Sequence, residues 1–301
     1  MDDRLDLLMG RMSERLITVG KSMGTVRKSQ GTVLSDLLRK SRRTVPDDLR
    51  TVPCDLRPVS EDLPDALPFE PLSCTADVGC DHGYVSMYLV LSGISKSAIA
   101  MDLRKGPLSA ARNNVAEFGI ADKVQVRLSD GLLALEDGEV DSLVIAGMGG
   151  KLMLSILEKR DIASLGIKAG VLQPQSDIPE FRGYMRGRGF EIVDERIVFE
   201  DGKYYFPMVI SFSGDGKKYE ATLEKLMGEL SVSRDDALRL SDKYGLYNIL
   251  RRDELLKSYL EHGREVSSSI IVGLNKDQHP DRFREVATEL SDIELLLDFF
   301  D

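Results

Sequence analysis

The stretch that decides the fold is CTADVGCDHG, from Cys74 to Gly83. Its apolar first half predicts a β-strand that ends at Asp77, and Gly79 allows a tight turn after the strand. The helix predicted to begin near Gly83 would present free N–H groups and the positive end of its dipole to a ligand. A strand, a glycine turn and a helix in this order are typical of the first unit of a nucleotide-binding α/β sheet.

This loop differs in charge from the glycine-rich loop that binds a dinucleotide. A dinucleotide loop reads GxGxxG and places a pyrophosphate on the helix, whereas this one reads DxGxDHG, with carboxylates at Asp77 and Asp81. Two carboxylates repel a diphosphate but suit a ligand with a sulfonium and an amino group, as in S-adenosylmethionine. A nicotinamide-dependent dehydrogenase is therefore disfavoured.

Outward from this stretch, short apolar runs alternate with segments of helical periodicity, which predicts βαβ units and a parallel sheet. The expected strands are CTADVG, SAIAMD, KVQVRL, DSLVIAG and KAGVLQP. Helices are expected to begin near Gly83, Pro107, Lys151 and Ile178. Two further apolar runs flank Asp201-Gly202 and predict a hairpin. Because class I methyltransferase sheets finish with an antiparallel strand, the hairpin favours a Rossmann-like α/β sheet of that class.

Three regions of the chain differ in composition. Residues 1–71 contain repeats such as TVPDDLR and TVPCDLR, with prolines at 46, 53, 58 and 64. We expect this region to be a low-complexity, disordered extension without a catalytic role. Residues 72–214 form the predicted catalytic domain. Residues 215–301 carry apolar residues at helical spacing, which predicts a helical, coiled-coil-like domain.

Composition limits the classes of function. The chain has 301 residues, a formal charge of −10 and three cysteines without a CxxC pair. These cysteines argue against a structural zinc or disulfides and favour a reducing compartment. The start MDDRLDLL lacks the features of a signal peptide, so we expect a cytoplasmic protein without a metal or membrane partner. The negative charge disfavours a nucleic-acid-packaging protein but permits an enzyme that modifies RNA, because local charge decides binding.

Two more acidic residues follow predicted strands. Asp102 closes SAIAMD, where an acid accepts hydrogen bonds from ribose hydroxyls in nucleotide-binding sheets. Asp130 follows the third strand, where it can meet an adenine amino group while Gly131 allows close approach. Each acid alone could equally be a helix cap. With Asp77 they place three acids at the carboxyl ends of successive strands, which points to S-adenosylmethionine.

The predicted fourth strand ends in IAGMGGK, in which three of seven residues are glycine. Methyltransferases that act on exocyclic or ring nitrogens often carry a motif such as NPPY here, and this chain does not, which argues against the usual N6-adenine type. Gly147, Gly149 and Gly150 instead predict bare backbone beside the transferable methyl group, with room for a flat base. A simple strand-to-helix turn is the alternative reading of these glycines.

These segments together resemble one family. DVGCDHGYVSMYLV, GPLSAARNNVAEFGIADKVQVRLSDGL, IAGMGG and VLQP are similar to the bacterial tRNA (adenine(22)-N(1))-methyltransferases, the TrmK family, over about residues 74–212. The resemblance implies a Rossmann-like domain followed by a helical coiled-coil domain. It also implies S-adenosyl-L-methionine as cofactor and methylation of N1 of an adenine in the D-arm of tRNA. MSERL, residues 12–16, stands where the family has a short N-terminal helix.

The first loop keeps part of the family sequence SDHAYLP. Asp81, His82 and Tyr84 are retained, whereas Gly83 stands where the family has alanine and Ser86 where it has proline. Adenine N1 already has an in-plane lone pair, so catalysis would consist mainly of positioning. Asp81 is the predicted stabiliser of the developing positive charge. His82 is predicted to shape the pocket or to remove the N6 proton.

The remaining site residues are assigned to two groups. The predicted cofactor-binding residues are Asp77, Gly79, Asp102, Asp130, Gly131, Ala146, Gly147 and Met148. The predicted tRNA-binding residues are Tyr84, Gly149, Gly150, Lys151, Gln173, Gln175, Arg182 and Arg186. In the second group the glutamines are candidates for pairing with the adenine edge, and the basic residues for holding phosphates. Ordinary surface charge is the alternative for each basic residue.

Two other functions remain open at this stage. A small-molecule methyltransferase would use the same cofactor residues and differ only in its acceptor. A non-catalytic tRNA-binding protein could retain the fold and lack affinity for the cofactor.

Overall fold

The computed structural model describes residues 3–25 and 72–301. Two helices come first: α1 (Asp3–Met9) and α2 (Glu14–Thr25). The alternating region contains β1 (Leu72–Val78), α3 (Tyr84–Leu91), β2 (Ser95–Asp102), α4 (Lys105–Glu117), β3 (Val124–Leu128), β4 (Ser142–Met148), α5 (Gly150–Glu158), β5 (Ala169–Pro174) and α6 (Ile178–Gly187). The strands that follow are β6 (Glu191–Glu195), β7 (Val198–Glu200), β8 (Lys203–Tyr205) and β9 (Met208–Ser211). The chain ends with α7 (Lys217–Leu230), α8 (Arg234–Tyr244), α9 (Leu246–Leu250), α10 (Glu254–Gly273) and α11 (Pro280–Phe300).

The main sheet has seven strands in the order β3-β2-β1-β4-β5-β9-β6. The pairs from β3 to β5 are parallel, whereas β9 runs antiparallel to both of its neighbours. The predicted strands and the antiparallel finish are therefore confirmed, and with them the Rossmann-like methyltransferase fold. The chain leaves β1 toward β2 and later enters β4 on the other side, so a crevice opens between the ends of β1 and β4. Open α/β sheets bind their ligands at this kind of position.

The central strands are buried on both faces, which explains their continuous apolar sequence. In β4, Leu143 and Ile145 belong to one apolar cluster and Val144 belongs to another. Alternate side chains of one strand point to opposite faces, so the two clusters are the two sides of the sheet.

The predicted hairpin is present, but each of its apolar runs is divided in two. The strands β6 and β9 pair within the main sheet, and β7 and β8 form a separate two-stranded ribbon. Asp201 and Gly202 join the ribbon with φ values of 50° and 75°. Two consecutive positive φ values are the geometry that favours an Asp-Gly turn between strands.

The expectation of disorder is wrong for residues 3–25, because they form α1 and α2. Leu8, Val19 and Met23 are fully buried in the apolar cluster on one side of the sheet. Val19 and Met23 are four residues apart, so they lie on the same face of α2. The proline-containing repeats, and the rest of the predicted extension from residue 26 to residue 71, lie outside the described residues.

The predicted helical C-terminal region is confirmed. Its helices α10 and α11 are antiparallel: Gly263 lies against Ile293, and Lys257 forms an ion pair with Asp301 at 2.7 Å. Buried residues of this region belong to the same apolar cluster as the β4 residues Leu143 and Ile145. The boundary near residue 214 stays a prediction. Within residues 3–25 and 72–301, no helix has the length and apolarity that a membrane span needs.

Candidate active site

The crevice between β1 and β4 is bordered by Asp77, Asp102 and Gly147. Asp77 is the next-to-last residue of β1, Asp102 ends β2, and Gly147 lies near the end of β4. The parallel register of these three strands brings their carboxyl ends to the same edge of the sheet. The residues that the sequence separates by up to 70 positions therefore border one site.

Asp77 is 4% exposed and is held by Ser86 in the first turn of α3. The Ser86 hydroxyl donates to Asp77 Oδ2 at 2.6 Å, and the Ser86 backbone N–H donates to the same oxygen at 3.1 Å. A proline at position 86 would supply neither hydrogen bond, because it has no hydroxyl and no N–H. Ser86 therefore fixes the Asp77 carboxylate near the end of β1.

Burial raises the pKa of Asp77 to about 6, against the opposing effect of the two Ser86 hydrogen bonds, and the charge of Asp102 raises it further. In the unfolded chain an aspartate titrates near pH 3.9. Between about pH 4 and pH 6 the folded protein therefore binds more protons at Asp77 than the unfolded chain does. Consequently the free energy of unfolding falls as the pH rises through this window, and the loss is complete above it.

We expect Asp77→Asn to stabilise the protein at neutral pH by up to about 3 kcal/mol, because the neutral amide avoids the cost of burying a charge. The gain should shrink toward zero near pH 4. Urea unfolding of the wild type and the variant at pH 4.5 and 7.5 measures this difference. Equal stabilisation at both pH values would contradict the assignment.

Gly79, in the loop after β1, allows this loop to pack against the end of β4. Its φ is +75°, and its backbone N–H donates to the Met101 carbonyl at 2.8 Å. A Cβ at this position would lie 2.1 Å from the Cε atom of Met148. The glycine therefore lets the first loop approach β4, and it leaves backbone rather than a side chain at the mouth of the crevice.

Asp102 is 6% exposed, and one of its carboxylate oxygens accepts a hydrogen bond from the Arg104 N–H at 2.8 Å. Its other oxygen accepts no hydrogen bond from the residues that the structure describes. Because a buried carboxylate needs partners, this oxygen is suited to a ligand hydroxyl.

Three exposed leucines near the ends of β2 and β3 are not among the residues predicted from the sequence. Leu103, Leu128 and Leu133 are 65%, 48% and 50% exposed. Large apolar side chains around a crevice are typical of sites that bind an aromatic ligand. The sequence feature that could have identified them is their position within three residues of Asp102 or Asp130. Buried carboxylates, a positive-φ glycine and these leucines together fit the amino group, ribose and adenine of S-adenosylmethionine.

Two of the predicted cofactor residues have other contacts. Asp130 is exposed, and both of its oxygens accept hydrogen bonds from Lys159 Nζ at 2.8 and 2.7 Å. Gly131 is buried, and a Cβ there would lie 2.9 Å from the Ile156 side chain. The close approach that Gly131 permits is therefore to α5. Its predicted role beside the cofactor stays a prediction.

The predicted catalytic pair lies in the loop before α3. Asp81 and His82 are both exposed, and His82 Nε2 lies 3.7 Å from Asp81 Oδ2. The His82 ring stacks on Tyr84 with 5.6 Å between centroids. Asn114 donates a hydrogen bond to the His82 carbonyl at 2.9 Å, which ties this loop to α4. The arrangement offers a carboxylate, an imidazole and an aromatic ring to a ligand outside the sheet.

The end of β4 is shaped by two glutamines. Gly147 is exposed with φ of +80°, and its N–H donates to Gln173 Oε1 at 3.1 Å. Gln173 is fully buried and its amide also donates to Pro174. The predicted pairing of Gln173 with adenine is therefore wrong, because its amide is used inside the protein. Gln175 is exposed, and its Nε2 lies 3.8 Å from the Cβ position of Gly147.

The other two glycines serve packing. A Cβ on Gly149 would lie 3.0 Å from Ser176 Oγ, and a Cβ on Gly150 would lie 2.5 Å from the Ser176 carbonyl oxygen. Both glycines therefore allow α5 to begin directly against the loop before α6. The predicted role as bare backbone for the acceptor is corrected for Gly150, which is buried, whereas Gly149 is partly exposed and its role stays a prediction.

Three predicted phosphate-binding residues already have partners. Lys151 is exposed and pairs with Asp177 at 3.3 Å. Arg182 is 1% exposed and pairs with Glu195 at 2.9 Å. Arg186 donates two hydrogen bonds to Asp242, at 2.5 and 2.7 Å.

The prediction is wrong for Arg182, because no ligand reaches a buried side chain. Asp242 satisfies Arg186, which makes that arginine part of the packing between α6 and α8. Lys151 is still accessible, so its role stays a prediction.

Arg15 of α2, which is not among the predicted residues either, places its Nη1 3.7 Å from the Cβ position of Gly147. Arg15 belongs to the MSERL segment, which resembles a short helix of the family but lies within the region predicted to be disordered.

Comparison with known proteins identifies methyltransferases that are similar to this chain. The profile of a family described as a methyltransferase domain matches residues 69–208. The tRNA (adenine(22)-N(1))-methyltransferase of Bacillus subtilis (strain 168) is 30% identical over 216 residues, which cover 62% of this chain and 90% of that protein.

Two solved structures share the fold. The crystal structure of the B. subtilis m1A22 tRNA methyltransferase TrmK superposes with a TM-score of 0.63 at 25% identity, covering 76% of this chain and 93% of that chain. Sp1610 of Streptococcus pneumoniae, a putative tRNA (m1A22) methyltransferase solved in complex with S-adenosyl-L-methionine, gives a TM-score of 0.60 at 28% identity, covering 74% and 91%. The resemblance inferred from the motifs is confirmed, and the chain belongs to the tRNA (adenine(22)-N(1))-methyltransferase family.

Proposed function

We propose that this protein is a cytoplasmic, S-adenosylmethionine-dependent enzyme that methylates N1 of adenine 22 in the D-arm of tRNA. The observation that carries the proposal is the crevice in which the buried carboxylates of Asp77 and Asp102 lie beside the bare backbone of Gly147. Membership of the family is the basis for naming adenine 22 of tRNA as the methyl acceptor, because the B. subtilis relative is named for this activity.

The cofactor side of the crevice consists of Asp77, Gly79, Asp102 and the exposed Leu103. Asp102 would accept hydrogen bonds from the ribose, Leu103 would cover the adenine, and Asp77 would face the amino group. S-adenosylmethionine supplies an electrophilic methyl group when it is bound. Met148 contacts Gly79, so the end of β4 helps to position the first loop.

The acceptor side is formed by Asp81, His82, Tyr84 and Gly147. The target adenine must leave its stack to reach this side, as bases do in enzymes that modify folded nucleic acids. Gly147 has no side chain to obstruct a flat ring. Asp81 would stabilise the positive charge that develops on the base, and Tyr84 and His82 would pack against it.

We expect Asp81→Asn to lower kcat about 10- to 100-fold without changing cofactor affinity, because an amide cannot stabilise the cationic base. Solvent near this exposed carboxylate limits the effect. Single-turnover methyl transfer measures the rate. Asp122→Asn is the matched control, because Asp122 is exposed in the turn before β3, at the opposite edge of the sheet. A wild-type rate for Asp81→Asn would remove this residue from the mechanism.

Methyl transfer from tritiated S-adenosylmethionine to unmodified tRNA tests the function. Nucleoside analysis of the digested tRNA should show labelled 1-methyladenosine, and the label should disappear when adenine 22 is replaced by guanine. Binding of the cofactor in calorimetry without transfer to any tRNA would contradict the proposal. That result would favour a small-molecule methyltransferase or a tRNA-binding protein that retains the fold.

A further inference from the structure

The side chain of Arg15 reaches from α2 to the acceptor side of the crevice. Its Nη1 and Gln175 Nε2 are the two atoms nearest to the Cβ position of Gly147, at 3.7 and 3.8 Å. The predicted phosphate-binding residues Arg182 and Arg186 pair instead with Glu195 of β6 and Asp242 of α8. Arg15 is thus a cation that the fold places where the acceptor enters.

Contacts with the β7–β8 ribbon hold this side chain in place. The guanidinium carbon lies 4.9 Å from the centre of the Tyr205 ring. Glu200 accepts a hydrogen bond from the Arg15 backbone N–H at 3.3 Å, and its carboxylate lies 4.0 Å from Arg15 Nε. That separation is too long for a hydrogen bond, so Glu200 orients the arginine and neutralises it only in part.

The guanidinium retains hydrogen-bonding capacity. Nε of Arg15 is buried and has no hydrogen-bond partner among the residues that the structure describes. The side chain as a whole is 20% exposed. An arginine that is held by its backbone N–H and by the Tyr205 ring, and whose guanidinium still has free donors, is arranged to bind an anion such as a phosphate.

The helix that carries Arg15 has a fixed position. Gly20 of α2 lies so close to the Tyr88 ring that a Cβ there would be 2.4 Å from its Cδ1 atom. Val19 and Met23 on the same helix are fully buried. Because α2 is packed rather than loosely attached, the position of Arg15 relative to Gly147 is set by the fold.

We propose that Arg15 is a substrate-binding residue that holds a phosphate of the tRNA segment next to the target adenine. This inference rests on the proposed function, since it names the group that orients the same acceptor. The first helical segment of the chain then forms part of the tRNA site, in contrast to the expectation that it has no role in catalysis.

The test compares Arg15→Ala, Arg15→Lys and the control Arg11→Ala. Arg11 lies just before α2 and pairs at 2.7 Å with Glu117, away from Gly147. We expect Arg15→Ala to lower kcat/KM for tRNA about 10- to 100-fold, as the loss of a hydrogen-bonded charge does. Calorimetric affinity for S-adenosylmethionine should be unchanged in all three variants.

The salt dependence of tRNA binding separates a phosphate contact from a packing role. Losing one phosphate contact should reduce the slope of log K against log salt by about 0.7 to 0.9 in Arg15→Ala. Arg15→Lys should keep the slope, because it keeps the charge, and should recover part of the activity. Arg11→Ala should match the wild type in both measurements.

Two results would overturn the inference while leaving the proposed function intact. The first is an active wild type with an equally active Arg15→Ala variant. The second is an Arg15→Ala variant that loses thermal stability and cofactor affinity together with an unchanged salt slope, which is the behaviour of a packing residue. A wild type that methylates no tRNA would reject the proposed function and this inference together.

Discussion

Asp102→Ala is expected to raise the Kd for S-adenosylmethionine at least about 100-fold, because two hydrogen bonds to a charged acceptor contribute roughly 3 to 6 kcal/mol. Asp102 is buried at the end of β2, and one of its oxygens already accepts a hydrogen bond from the Arg104 N–H at 2.8 Å. The remaining oxygen is the proposed acceptor for the ribose hydroxyls. Isothermal calorimetry measures the loss directly.

Asp137→Ala is the matched control for this variant. Asp137 is an exposed acid that pairs with Arg160 at 2.7 Å in the turn before β4. Its loss should leave cofactor affinity within about threefold of the wild type, because exposed ion pairs contribute little. Thermal unfolding shows whether both variants fold. A folded Asp102→Ala protein with wild-type affinity would disprove the role of Asp102.

Arg182→Met is expected to lower the free energy of unfolding by about 3 to 5 kcal/mol, because it leaves the buried carboxylate of Glu195 without its partner. Arg182 also donates hydrogen bonds to the carbonyls of Asp242 and Lys243, at 2.8 and 3.1 Å. These contacts join α6 to α8, so the loss affects the packing of the helical region on the sheet. Urea unfolding measures the change.

Arg188→Met serves as the control on the same segment. Arg188 is exposed just after the end of α6, so its replacement should change the free energy of unfolding by less than about 0.5 kcal/mol. Below its unfolding temperature, Arg182→Met should bind tRNA as the wild type does. Reduced tRNA affinity at full stability would instead restore Arg182 as a phosphate-binding residue.

The sheet and the cofactor side could be predicted because both depend on local sequence. Each strand carries its own apolar run, and Asp77 and Asp102 each end one of these runs. Parallel strands have their carboxyl ends at one edge, so the acids come together without further information. The same reasoning placed Gly147 opposite them.

Residues on the acceptor side were harder to predict, because their roles depend on contacts between distant segments. Arg182 and Arg186 lie on α6 and Arg188 directly follows it, and contacts with β6 and α8 decide which of the three are covered. Gln173 and Gln175 are two residues apart, yet one is buried and the other exposed. Residue type alone could not show which of these arginines and glutamines are buried and which are accessible.

The α2 helix has a consequence for protein synthesis. Arg15 of this helix contacts Glu200, 185 residues later in the chain. The helix itself also packs against β5 and β9. A ribosome that has made the first 150 residues has already produced Asp77, Asp102 and Gly147, but none of those later partners. Because a contact this distant in sequence forms late, the cofactor half of the crevice can assemble before its RNA-facing wall. Asp81, His82 and Tyr84 are also made early, so among the proposed acceptor-side residues it is Arg15 whose position is fixed only when synthesis has passed β9.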